Sequence, residues 1–301
     1  MRAGISIASD EEVQAFLEEV REFVDARLTA VATRVGLPPN CLDGLLGKML
    51  RSRLGARLGA RSPATDSCLA ACAAVELLHT ATLCHDDVID QSTIRRYRPT
   101  LWCATSTTAA ILVGDLLMTE SLVVLQEKGA PGQLGHFLAK MGEICGAELE
   151  LEFQHRGRPL DQETWVRLGR AKTGALFAFV ARSCAGGDDA LGRALEEVGY
   201  RLGTAYQVID DLIDVIGDDA VTGKTVGRDK KQGVVTRVVA DADPVRVAAG
   251  ELRRQCQFSL EAVAEWPEAR KAIATYLSKD IEPLLRSALG SSSVPILPFV
   301  E

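Results

Sequence analysis

Proline is missing from two long stretches, Ala64 to Arg98 and Leu160 to Asp243. Because proline breaks helix interiors, such alanine- and leucine-rich stretches favour helices. Strand-forming patterns are correspondingly weak. No composition shift or linker divides the 301 residues, so the expected fold is all-α, a single-domain helical bundle over residues 1–301. There is no basic excess: the formal net charge is -7, which disfavours a general nucleic-acid role, since phosphate backbones need a basic surface. The eight cysteines, at 41, 68, 72, 84, 103, 145, 184 and 256, form no paired C-x-x-C array and lie mostly in apolar stretches. They read as reduced core residues of a cytoplasmic protein. No run approaches twenty clean apolar residues, because Glu76 and His79 interrupt the one before Asp86, so no transmembrane segment is expected. The first residues carry one arginine and a short apolar patch that meets Asp10, Glu11 and Glu12, which is not a signal-peptide pattern. Ser291 to Ser293, ahead of Pro295 and Pro298, reads as a loose terminus.

What is present begins with an amphipathic helix. Val13, Phe16, Leu17, Val20, Phe23 and Val24 follow helical spacing, and Ser9 with Glu12 makes a capping box ahead of them. More informative is one pattern written twice, Asp86-Asp87-Val88-Ile89-Asp90 and Asp210-Asp211-Leu212-Ile213-Asp214. Residues four apart share a helix face, so Asp86 stacks with Asp90 and Asp210 with Asp214. The flanking sequence is apolar, where an unpaired charge is expensive and marks a function or a partner. Carboxylate-rich, sulfur-free clusters suit magnesium, which prefers oxygen, keeps waters and bridges to substrate phosphates. The paired motifs therefore predict a magnesium-diphosphate site with Asp86, Asp87, Asp90, Asp210, Asp211 and Asp214 as metal ligands. Neither has the loop spacing of an EF-hand calcium site.

Basic residues are local. Arg95-Arg96 follows the first motif by about one and a half turns, and arginine forks bind phosphate bidentately. Lys48 with Arg51, Lys172-Thr173 and Lys224 are further candidates. His79, seven residues before Asp86, shares its helical face and is either a phosphate donor or a satisfied core residue. His85 points off that face, which suits a structural role. Gln207 shares the face of Asp210 and Asp214, to touch substrate or to make an ordinary inter-helix hydrogen bond.

The ordered set Gly47-Lys48-x-x-Arg51, His79, Asp86 to Asp90, Arg95-Arg96 with Pro99-Thr100, Gly114-Asp115, Lys172-Thr173, Gln207, Asp210 to Asp214, and Gly223-Lys224 with Gly227 and Asp229 closely resembles the trans-isoprenyl diphosphate synthases, the polyprenyl synthetase family. The resemblance covers roughly residues 45 to 240. It implies a helical bundle around a deep central cavity, a homodimer, and acidic motifs that hold Mg2+ on an allylic diphosphate. Arg95, Lys172, Thr173, Gln207 and Lys224 would grip the allylic diphosphate, with Lys172 in the catalytic set beside the six aspartates. Lys48, Arg51, His79 and Arg96 would hold isopentenyl diphosphate. The family commonly has arginine where Met49 stands, proline at Ser52, glycine at Tyr97 and a lysine at Val234, although Lys230 and Lys231 lie close.

Two other readings share part of the pattern. A class I terpene cyclase typically replaces the second aspartate motif, and a non-catalytic prenyl-binding subunit tends to lose acids that this chain keeps. Product length in the family depends on side chains shortly before the first motif. Here Ala81 and Thr82 are small, with Leu77 and Leu78 deeper on the same helix, so products of at least twenty carbons are expected.

Overall fold

A computed structural model describes residues 5–38, 41–42, 44–62, 64–216 and 243–289. Helix α1 (Asp10–Val35) starts at the expected cap: Glu12 donates its amide to Ser9 Oγ, and Ser9 N–H donates to Glu12 Oε2 at 2.7 Å. The helix stops where Gly36 turns left-handed. Its buried stripe runs from Val13 through Phe16, Leu17, Val20 and Val24 to Val31. There follow α2 (Leu50–Gly59), α3 (Thr65–Ile89), α4 (Leu101–Ala104), α5 (Thr107–Lys128), α6 (Gln133–Glu150), α7 (Gln162–Gly169), α8 (Ala175–Ser183), α9 (Asp189–Ile216), α10 (Pro244–Ala262), α11 (Pro267–Tyr276) and α12 (Glu282–Leu289). One-turn π-helical segments, Leu151–His155, Arg170–Gly174 and Leu277–Ile281, interrupt or extend three of them. Extended structure among the described residues is one two-residue ribbon, β1 (Ile94–Arg95) with β2 (Arg98–Pro99), antiparallel with Arg95 opposite Arg98.

Helix α3 is the central element. It packs mainly on α5 and α2, while α9 lies between α8 and α10. One hydrophobic cluster runs from Ile5 to Leu285. Cysteines serve as its small residues: a Cβ added at Gly55 or Gly59 of α2 would sit 2.5 Å from Cys72 Sγ or 2.6 Å from Cys68 Sγ. Only glycine lets α2 approach α3 that closely. All eight cysteines are free thiols, and burial pushes that of Cys72 well up.

Among the described residues two helices do have the length and apolar composition of a membrane span, α3 with mean hydropathy 1.5 and α5 with 1.8. Isolated charges and small residues broke up the clean runs in the sequence without lowering these means much. Most of α3 is buried inside the protein, whereas only 39% of the α5 window is. Below the acids α3 is packed: Leu77 and Ala81 have no accessible surface and Thr82 is only partly buried. Lys224, with Gly223, Gly227, Asp229, Lys230, Lys231 and Val234, lies outside the described residues, as does the Ser291 to Pro298 stretch.

Candidate active site

Both acidic motifs fall at the C-terminal ends of long helices, α3 and α9. The structure divides each in the same way. The middle aspartates are buried, Asp87 at 5% exposure and Asp211 at 2%, whereas Asp86, Asp90, Asp210 and Asp214 are half-buried. Asp87 takes a bidentate fork from Arg95, with Nε at 3.0 Å from both oxygens and Nη2 at 2.8 Å from Oδ1. Asp211 accepts from Trp165 Nε1 and Gln207 Nε2, each at 2.7 Å. All six aspartates are expected as metal ligands; Asp87 and Asp211 have both of their oxygens engaged by protein donors. Among the described residues no three His, Cys, Asp or Glu side chains converge tightly enough to hold a metal ion by themselves. A hard cation here would need water or phosphate oxygens to complete its shell, which is how magnesium is usually bound.

Burial raises the Asp86 carboxyl to about 6; Lys172 lowers it while Glu148 and Asp90 raise it further. Lys172 Nζ stands 2.7 Å from Glu148 Oε1, so α6 contributes an acid that no spacing pattern singles out. Next to Lys172, Thr173 donates to Gln207 Oε1 at 2.5 Å, and Gln207 passes the chain on to Asp211. The π-helical turn that carries Lys172 and Thr173 reaches α9 because Gly174 and Gly203 face each other: a Cβ at Gly203 would meet Gly174 Cα at 2.4 Å.

The arginine pair sits on the ribbon. Arg96 and Tyr97 form its two-residue turn, both with positive φ, 51° and 62°, the geometry of a left-handed hairpin turn that favours glycine. That explains the family's glycine at position 97 and makes Tyr97 a conformationally costly residue there. Arg96 turns away from Arg95 and donates to the carbonyls of Gly44 and Leu45. Its guanidinium lies so close to Gly47 that a Cβ there would be 2.4 Å from Nη2. Burial and the neighbouring Arg95 lower its pKa.

Arg51 stacks over the Phe177 ring at 5.3 Å, and its buried Nε has no hydrogen-bond partner. His79 is held well below the usual imidazole range by burial and then by Arg51, Arg96 and Arg95, so it is a neutral hydrogen-bonding group among three cations. Tyr206 joins the halves of the site, since its hydroxyl feels Asp210, Arg51 and Arg96. Lys48 is exposed and lines a small open cleft with Gln14, Arg21 and Arg53. His85 has a structural place: its Nε2 lies 3.0 Å from the Ile111 carbonyl, against Gly114, where a Cβ would be 2.3 Å away. Trp165, Glu148 and Tyr206 were not singled out from the sequence, and a lone tryptophan, glutamate or tyrosine on a helix carries no spacing signal.

Residues 41–261 match the polyprenyl synthetase family. The geranylgeranyl diphosphate synthase of Mycobacterium tuberculosis is 35% identical over 208 residues, 66% of this chain and 57% of that protein. The chain spans about half the length of the curated relatives it matches. Among solved structures, the heptaprenyl diphosphate synthase from Staphylococcus aureus is similar with a TM-score of 0.74 at 21% identity, covering 89% of this chain and 98% of that one. The geranyltransferase from Helicobacter pylori, complexed with magnesium and isoprenyl diphosphate, gives 0.67 at 21% identity, covering 91% and 98%. The structures establish the fold, and the family match extends over most of the sequence: this chain belongs to the polyprenyl synthetase family.

Proposed function

We propose that this chain is a magnesium-dependent prenyltransferase that condenses isopentenyl diphosphate with an allylic diphosphate to make an all-trans polyprenyl diphosphate of twenty carbons or longer. The observation that carries the reading is a set of half-buried carboxylates among cations: Asp86 and Asp90 beside Lys172, and Asp210 facing Tyr206 together with Arg51 and Arg96, which also surround a neutral His79. The donor set is all oxygen and fits magnesium. The orphaned Nε of Arg51 fits an anionic acceptor, because a buried donor without a partner costs about 1–3 kcal/mol.

Magnesium, when bound, neutralises the diphosphate as it leaves. Arg95, Lys172, Thr173, Gln207 and Lys224 are assigned to the allylic diphosphate on the strength of the family resemblance, with Arg95 also fixing Asp87. Lys48, Arg51, His79 and Arg96 are assigned to isopentenyl diphosphate on the same ground, and cations already held in place need little reorganisation during reaction. The allylic C–O bond breaks with its electron pair on the diphosphate, leaving a carbocation. The double bond of isopentenyl diphosphate attacks it, and released pyrophosphate takes the proton whose loss restores the alkene. Water must be kept from the cation, and the apolar face of α3 before Asp86 provides a wall for that purpose.

The relative from Mycobacterium tuberculosis, described as a geranylgeranyl diphosphate synthase, and the magnesium complex of the Helicobacter pylori enzyme support this reading. Incubating the purified chain with isopentenyl diphosphate, primers of different length and magnesium, then sizing the products, tests it. Absence of magnesium-dependent condensation with every primer would reject it. The exposed apolar side chains Ile111 and Leu112 on α5 and Leu138 and Leu149 on α6, with Phe153 just beyond, support a homodimer, testable by analytical ultracentrifugation. The free thiols suit a cytoplasmic setting.

A further inference from the structure

Glu76 lies one turn before His79 on α3 and is only 2% exposed. Ser52 Oγ donates to Glu76 Oε1 at 2.7 Å, and Ser52 is itself fully buried. Ser52 is the third residue of α2. The helix begins after Met49, which stands in a left-handed conformation and provides no side-chain cap, so its first-turn N–H groups need acceptors from elsewhere. Burial pushes the Glu76 carboxyl up, while the Ser52 hydroxyl and amide, Arg51 and Arg96 pull it down. A carboxylate from α3 thus serves the start of α2 at the residue next to Arg51. Arg51 Nε itself makes no hydrogen bond, so its placement depends on the first turn of α2 and on the Phe177 ring.

We propose that Ser52 and Glu76 are positioning residues for the isopentenyl diphosphate pocket: their buried hydroxyl–carboxylate pair pins the first turn of α2, and with it Arg51, against α3, and places one negative charge behind Arg51 and Arg96. The proposal rests on the function proposed above. Proline, common in the family at position 52, has neither hydroxyl nor N–H, so this coupling belongs to the present chain. Two effects of Glu76 oppose each other. As a like charge it repels a diphosphate; as an acceptor it orders the cations that bind one. A fixed site for a dianion gains more from ordered guanidinium forks than it loses to one partly neutralised carboxylate.

The test is a series of Ser52→Thr, Ser52→Ala, Ser52→Pro and Glu76→Gln variants, assayed for both substrates and titrated calorimetrically with isopentenyl diphosphate in the absence of primer. Ser52→Ala is expected to raise the KM and Kd for isopentenyl diphosphate about three- to tenfold, with kcat and the primer KM within about twofold of wild type. Ser52→Pro, which removes the amide as well, raises them further; Ser52→Thr restores wild-type values; Glu76→Gln raises them. Unchanged binding in Ser52→Ala and Ser52→Pro, an equal rise for both substrates, or tighter binding in Glu76→Gln overturns the proposal. If Glu76→Gln does not fold, the Ser52 series decides. An inactive wild-type chain would instead overturn the function on which it rests.

Discussion

Trp165 on α7 donates its indole N–H to Asp211 Oδ2 on α9 at 2.7 Å, while Gln207, one turn earlier on α9, holds the other oxygen. With both oxygens engaged and almost no surface, Asp211 is placed to brace Asp210 and Asp214. Trp165→Phe keeps most of the ring and removes the N–H. It should lower stability by about 1–3 kcal/mol and raise the magnesium concentration needed for half-maximal rate. Thermal unfolding and a magnesium titration check both; unchanged values in the two measurements would contradict the brace.

The divided motifs predict different phenotypes for neighbouring residues. Asp86→Ala should cut turnover at least about a hundredfold, as removal of electrostatic stabilisation usually does, and leave circular dichroism unchanged. Asp210→Ala should behave likewise. Asp87→Ala leaves Arg95 without its carboxylate and should destabilise the fold by about 3 kcal/mol. An Asp87→Ala protein as stable as wild type would remove the structural role assigned to that pair.

Arg96 is held by the Gly44 and Leu45 carbonyls, on the side of the pocket given to isopentenyl diphosphate. Arg96→Ala should raise the KM for that substrate by roughly tenfold or more, in keeping with loss of a charge-assisted contact, and raise that for the primer far less. Equal effects on both, or none, would reject the assignment.

Ala81 is fully buried, so Ala81→Phe should cost about 1–3 kcal/mol through overpacking, and the family resemblance, which puts length control shortly before the first acidic motif, implies a shorter main product. Product sizing by chromatography and a melting curve read the two effects. A wild type that stops at fifteen carbons, or an active Ala81→Phe with unchanged products, would refute this view of length control.

Acid stability should depend on Glu196. Burial alone would raise its carboxyl, yet hydrogen bonds from His136 and Lys140 outweigh that and hold it at about 2, with Lys140 Nζ at 2.6 Å and His136 Nε2 at 3.0 Å. A carboxyl depressed on folding contributes stability above its ordinary range, and that contribution is lost as pH falls from the ordinary value of 4.5 through about 2. Glu196→Gln should be less stable than wild type by on the order of 2–3 kcal/mol at pH 7, and the gap should close toward pH 2. Urea unfolding at several pH values measures it, and a gap independent of pH would show that the pair is not the cause.

Helix class and the acidic motifs were legible because both depend on spacing: the Ser9–Glu12 cap and the Val13 to Val24 stripe are written in consecutive residues. The separate roles of Asp86 and Asp87 were not, because adjacent aspartates look alike until Arg95 arrives from strand β1 and claims one of them. Trp165 was invisible for the same reason, since its partner lies 46 residues away. Tyr97 shows the reverse case: the departure from glycine was visible at once, but its left-handed backbone was not.

Helices α3 and α9 both finish in their aspartates, and neither carries a basic residue in its last turn. The C-terminal end of a helix already bears about half a negative charge from its aligned peptides, and acids placed there are destabilising. At each of these ends backbone and side chains add rather than cancel. Positive charge brought there relieves both contributions together. A cation bound at such an end should therefore stabilise the protein as well, so that heat resistance becomes a reporter of occupancy.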